Sequence, residues 1–143
     1  MDLVLTKSDM CELESIVEKE LLVSGADHVI IVDMSGNLIL ERGCSHMDDI
    51  FSLAALSAAN FAATAEIAKL IGEEDFTLLF HKGDKKNIHF SRLGKNHIII
   101  TLFNENVSLG LIRLRLNKVV DQLASIFASA GGKTLGLHRS EQE

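Results

Sequence analysis

Between Phe76 and Phe103 three apolar runs are separated by tight turns, and strands joined that closely can pair only with opposed directions. Phe76 to His81 reads as a strand, Gly83-Asp84-Lys85 as a turn and Asn87 to Arg92 as the next strand. Gly94-Lys95-Asn96 turns that strand into His97 to Phe103, and Asn104-Glu105-Asn106 ends the pattern. A helix follows, with Leu109, Ile112, Leu116, Val119, Leu123 and Ile126 along one face. Upstream, Leu13, Val17 and Leu21 recur at helical spacing over Ser8 to Val23; Thr6 or Ser8 can cap the start and Gly25 marks the end. His28 to Asp33 and Leu38 to Glu41 read as strands around the turn Ser35-Gly36-Asn37. Asp48 to Ile71 is a long alanine-rich helix ending at Gly72. The order is helix, two strands, helix, three strands, helix. It predicts an α+β layered domain, a five-stranded antiparallel sheet with helices on its faces. Gly131-Gly132 should end the last helix, so residues 1–129 are expected to form the domain and 130–143 a flexible polar tail.

A chain of 143 residues can bury a sizeable core without staples. A net charge of −6 argues against non-specific binding of nucleic acid. Cys11 and Cys44 lie in different elements and make neither a disulfide framework nor a metal-ligand spacing. Such cysteine usage makes a reducing cytoplasm the expected location, and Met1 to Thr6 shows no basic segment followed by the long apolar run of a signal peptide.

The helix Asp48 to Ile71 carries more apolar surface than one domain needs. One seam holds Leu53, Leu56, Ile67 and Ile71, with Asn60 and Thr64 interposed. A second, mostly small, holds Ala54, Ala58, Phe61, Ala65 and Ala68, and a third arc holds Ala55, Ala59, Ala62, Glu66 and Lys69. An outer helix of a single domain requires one apolar stripe. Alanine's helix propensity accounts for some of this composition. Membrane insertion is disfavoured by Asp48, Asp49, Glu66 and Lys69. The reading preferred here is that the large seam packs on the sheet. The small seam, Ala54, Ala58, Phe61, Ala65 and Ala68, then packs on the same helix of a second copy, giving a homodimer. An apolar edge at Phe76 to His81 would add a sheet-to-sheet contact.

No arrangement of catalytic groups stands out. Ala130-Gly131-Gly132-Lys133-Thr134 lacks the earlier glycine of a phosphate loop, having Phe127 there, and a helix instead of a strand precedes it. His81, His89 and His97 fall on successive strands near Asp75 and Asp84, but read as surface residues; no metal or cofactor is expected. Ser45, His46, Asp48 and Asp49 have the residue types of a hydrolase triad, yet their closeness fits a helix start better. Arg113 is expected near the apolar face of the last helix and Arg115 in solvent.

The stretch from Ile88 to Phe127, with its Gly-Lys-Asn turn, its Asn-Glu-Asn break and a helix opening Leu109-Gly110-Leu111-Ile112-Arg113, closely resembles the closing half of the Roadblock/dynein light-chain family. The resemblance extends over about Asp9 to Phe127 and is greatest to the stand-alone prokaryotic, MglB-type branch. It implies a Roadblock/longin-like, profilin-like fold and a dimer whose middle helices pair across a twofold axis. It also implies a regulator of a small Ras-like GTPase, either an activator of hydrolysis or a co-regulator, with no active site of its own. The platform carried over for the GTPase is Ala55, Ala59, Ala62, Ala63 and Glu66 from each subunit. Two alternatives stay open: a non-catalytic adaptor like the dynein light chains, and a small-molecule sensor on a profilin- or PAS-like fold.

Overall fold

The computed structural model describes residues 4–43, 47–76 and 78–142, the last twelve of these by their backbone alone. Helix α1 (Lys7–Val17) runs on into a π-helical segment at Glu18–Leu22. Then come β1 (His28–Asp33), β2 (Leu38–Gly43), α2 (Ile50–Leu70), β3 (Leu79–Lys82), β4 (Lys86–Leu93), β5 (His97–Asn104) and α3 (Leu109–Gln142). The order of helices and strands is the one the turns and periodicities predict.

The sheet has the strand order β2-β1-β5-β4-β3, and every neighbouring pair is antiparallel. The β1–β2 hairpin and the β3–β4–β5 meander meet through β1 and β5, which pair in register from His28 opposite Leu102 to Asp33 opposite His97. These are the strands richest in Val and Ile, and they occupy the centre because both of their faces are covered. Successive strand residues point to opposite faces, so each strand feeds two cores. Val29, Ile31, Ile99 and Phe103 meet Leu13, Val17 and Leu21 of the first helical segment and Ile112, Leu116, Val119 and Leu123 of α3. Ile30, Val32, Phe90, Ile98 and Ile100 meet Ile50, Ala54 and Phe61 of α2 on the other side. The molecule is therefore three layers: α1 with α3, the sheet, and α2 alone.

Local chemistry fixes the element ends. Thr6 caps α1 by accepting from the Asp9 amide at 3.0 Å, while the Asp9 carboxylate accepts from the Thr6 amide at 2.9 Å, a reciprocal capping box. The β1–β2 turn is held by Asp33, which accepts from the amides of Ser35 and Asn37. Ser108 caps α3 by accepting from Leu111 N–H at 3.1 Å.

Two boundaries depart from expectation. Strand β3 starts at Leu79, later than the predicted Phe76. Helix α3 does not stop at Gly131; its backbone stays helical to Gln142. Each glycine costs roughly 1 kcal/mol relative to alanine, but lengthening a formed helix avoids the nucleation cost, and the chain contains no proline to end it.

Candidate functional site

Helix α2 has its surfaces largely the other way round from the expectation, although Leu53 of the large seam does pack against the sheet-side core. Ala54, Ala58, Phe61 and Ala68, expected to meet a second copy, are buried against this chain's own sheet, and Ala65 is half-buried beside them. The larger side chains face outward: Leu56 is 70% exposed, Ile67 53% and Leu70 86%. The physical reason lies in the sheet. Its α2 face is already filled by Ile30, Phe90, Ile98 and Ile100, so the middle of the helix needs small residues to come close, with Ile50 and Phe61 as large buried anchors. Phe51 and Ile71 continue the exposed apolar surface at the two helix ends, and Phe76 and Leu78 extend it toward β3. A lone soluble domain does not ordinarily leave so many large apolar side chains together in water. By length and composition α2 is also long and apolar enough to cross a membrane, but its Ala54–Phe61–Ala68 side is occupied by the sheet.

The two flanks of the outer surface have different neighbours. On one flank Asn60 Nδ2 lies 3.3 Å from His81 Nε2, so the side of α2 bearing Leu56, Asn60 and Ile67 borders strand β3. β3 is an outer strand of the sheet, paired on one side only, by β4. On the other flank the β1–β2 turn comes up against Ala55. Gly36, at φ +88°, sits so near that a Cβ there would lie 3.0 Å from the Ala55 Cα. Ala55, Ala59, Ala62, Ala63 and Glu66 are all exposed, and they form the crest between these flanks. Glu66 takes a hydrogen bond from Lys69 at 3.1 Å along this crest.

One contributor was missed from the sequence. Arg92, near the end of β4, places its guanidinium 5.0 Å from the centre of the Phe61 ring and donates to Asp75 at 3.2 Å. It thereby ties the segment after α2 to Phe61, the aromatic anchor of that helix. The signal was available: Phe90 and Arg92 are two apart on one strand and so share a face.

The remaining constellations come apart. His81 lies on the α2 side of the sheet and packs edge-on to Phe90, whereas His97 stacks on Phe127 of α3 at 4.0 Å. His89, expected at the surface, is buried opposite Thr101. Burial, with the Arg113 charge adding to it, pushes its pKa down to about 4, so the ring is neutral at pH 7. His89 Nδ1 and the Thr101 hydroxyl find no hydrogen-bond partner among the described residues. No group of three His, Cys, Asp or Glu among the described residues could hold a metal ion. Ser45 and His46 lie outside the described residues, and Asp49 at the start of α2 makes no side-chain cap. The two arginines of α3 exchange their expected roles: Arg113 is exposed, and Arg115 is half-buried with Glu20 3.6 Å away. Both sit on the layer opposite α2. The Ala130–Thr134 run lies within the α3 backbone helix, without the loop a phosphate cradle needs.

The Roadblock/LC7 domain profile matches residues 13–103. The structure of Myxococcus xanthus MglB is 35% identical and superposes with a TM-score of 0.81, covering 90% of this chain and 96% of that one. The gliding protein MglB of Thermus thermophilus is 26% identical with a TM-score of 0.82, covering 90% of this chain and 97% of that one. An uncharacterized protein of Aquifex aeolicus is 29% identical over 117 residues, which is 80% of this chain and 72% of that protein.

Proposed function

Because the chain belongs to the Roadblock/LC7 domain family and is MglB-like, we propose that it acts as a homodimer that binds a small Ras-like GTPase and speeds its hydrolysis, without an active site of its own. The observation that carries this reading is the outer surface of α2, an apolar face that its own domain leaves uncovered. The flank bordering β3, with Leu56, Ile67 and Leu70, suits the second copy. A twofold axis perpendicular to the sheet would set two β3 edges antiparallel and bring both α2 helices onto one side. The crest of Ala55, Ala59, Ala62 and Glu66 then stays open in both copies as the GTPase platform, with Ala63 at its border. Small side chains let a partner come close to the helix, and Glu66 and Lys69 supply rim charges that set its orientation.

Activation in this reading comes from holding one conformation of the GTPase's own machinery. Arg113 and Arg115 are on the far layer of the molecule, so neither can reach a nucleotide bound over α2. Stabilising one switch state requires tighter binding to that state, so association must depend on the nucleotide.

The test mixes the purified protein with a Ras-like GTPase of the same genome, loaded in turn with GDP and with a non-hydrolysable GTP analogue. Tighter binding to the analogue-loaded form and faster hydrolysis of GTP are expected. Equal binding to both forms, or none, removes the regulator reading; selective binding without acceleration leaves an effector or adaptor. Replacing Arg113 or Arg115 with alanine should keep the stimulation, whereas a loss on the order of 10³ at either would identify an arginine finger.

A further inference from the structure

The two ends of β3 carry opposite charge. The connection that enters it holds Glu73 and Glu74, and the hairpin that leaves it holds Lys82, Lys85 and Lys86 around a single Asp84. All of these side chains are exposed. The ion pairs formed nearby, Lys69 with Glu66 and Arg92 with Asp75, do not involve them. Between them lies a four-residue outer strand whose far side is unpaired by the sheet, bordered by the exposed Leu78 and Phe76.

This arrangement distinguishes two ways of joining sheet edges. Parallel pairing of two β3 strands would put acidic end on acidic end and basic on basic. Antiparallel pairing centred on Phe80 and His81 sets Leu79 opposite Lys82 of the second copy. Further back toward Phe76 the chain then heads for the second copy's β3–β4 hairpin, where Gly83 is hydrogen-bonded to Lys86 and Lys82 and Lys85 lie beside them. We propose that the acidic α2–β3 connection of each copy lies along the basic β3–β4 hairpin of the other, a pair of reciprocal charge contacts that fixes the direction and register of the dimer. This rests on the homodimer reading given above and adds to it the groups that select the antiparallel form. Exposed pairs act as much through exclusion of wrong pairings as through attraction, and they are screened by salt.

Charge reversal on each side separately, Glu73→Lys with Glu74→Lys and Lys82→Glu with Lys85→Glu, provides the test. Sedimentation equilibrium is run on the wild type, on each variant and on an equimolar mixture, at low and at high salt, with melting curves to verify folding. The wild type should be a dimer that weakens with salt. Each variant alone should self-associate about tenfold or more weakly at low salt, because like charges then face each other. The mixture should recover a heterodimer of wild-type strength. Variants that dimerise as the wild type does, or a mixture that recovers nothing, overturn the charge contacts while leaving the homodimer standing. A wild type that is monomeric at every concentration and salt overturns the homodimer reading itself.

Discussion

The two faces of the sheet are covered by helices that differ in what they show to water. On one face α1 and α3 lie side by side, with Arg115 of α3 paired to Glu20 of the π-helical segment that follows α1, while Arg42 of β2 pairs with Glu14 of α1. Their inward stripes are large: Leu13, Val17, Ile112, Leu116 and Leu123. Their outward sides are mostly charged and polar, with Leu114 the exposed large apolar residue among the described side chains of α3. On the other face α2 is alone, turns small residues inward and sets Phe51, Leu56, Ile67, Leu70 and Ile71 outward. A helix that serves only its own domain concentrates its apolar side chains on the buried stripe. The difference between the layers thus separates the surface that makes the domain from the surface that makes the interaction.

Two adjacent residues of α2 should respond oppositely to the same substitution. Ala58 is 3% exposed on the sheet side, and Ala59 is exposed on the crest. Ala58→Glu buries an unpaired carboxylate where there is no room for it and should cost about 3–5 kcal/mol or abolish folding. Ala59→Glu should change stability by no more than about 0.5 kcal/mol, yet weaken binding of the GTPase. Chemical denaturation of both variants checks the first statement and a binding titration of the second checks the other. Equal stability of the two variants would mean that α2 is rotated from the orientation described.

A smaller effect belongs to the covered face. His89 is neutral in the fold, with its pKa at about 4, and takes an ordinary value near 6.5 when the chain unfolds. Between those values the unfolded chain binds the extra proton, so stability is fully present above about pH 6.5 and is lost as the pH falls toward 4. The loss should be about 2 kcal/mol, allowing for relaxation around a charged ring. Burial lowers the pKa of His97 as well, against the pull of Asp33, and contributes with the same sign. His89→Gln should therefore flatten the melting-temperature profile between pH 6.5 and 4 without levelling it. An unchanged slope in that variant would show that the ring does not titrate from a buried state.

How much of this was legible in the sequence follows from what periodicity can encode. Strand order along the chain came from turn residues such as Gly94-Lys95-Asn96, and the α3 stripe came from its helical spacing, because in both places one apolar pattern dominates. The membership of the α2 seams was legible too, but their direction was not. With apolar residues on nearly every side of α2, the deciding fact is how full the opposing sheet is, and Ile30, Phe90, Ile98 and Ile100 come from three strands distant in sequence. The platform residues Ala55, Ala59, Ala62, Ala63 and Glu66 could be placed on an outer arc. The flank next to β3 could not, since it depends on β3 lying at the sheet edge. His89 reads as a surface residue for a related reason: a single polar residue on a strand does not reveal that α3 crosses above it.

The smallest expected effect concerns the end of α3, beyond the buried Ala130. The inward stripe of that helix reaches Ile126, Phe127 and Ala130, all buried, the last core positions among the described side chains on this side. Beyond them the sequence from Lys133 to Glu143 offers Leu135 and Leu137 among mostly polar and charged residues, too little apolar area to contribute much to folding. We propose that this segment is a tail dispensable for the domain even though its backbone continues the helix. On this proposal the extension is held by propagation alone, worth a few tenths of a kcal/mol per residue at most. Deleting residues 132–143 should therefore shift the melting temperature by no more than about 2 °C. A fall of many degrees would show that the extension docks on the domain, and the covered face would then reach further than its buried stripe indicates. The same truncation belongs in the GTPase titration: a change in binding with no change in melting temperature would give the extension a role in meeting the partner.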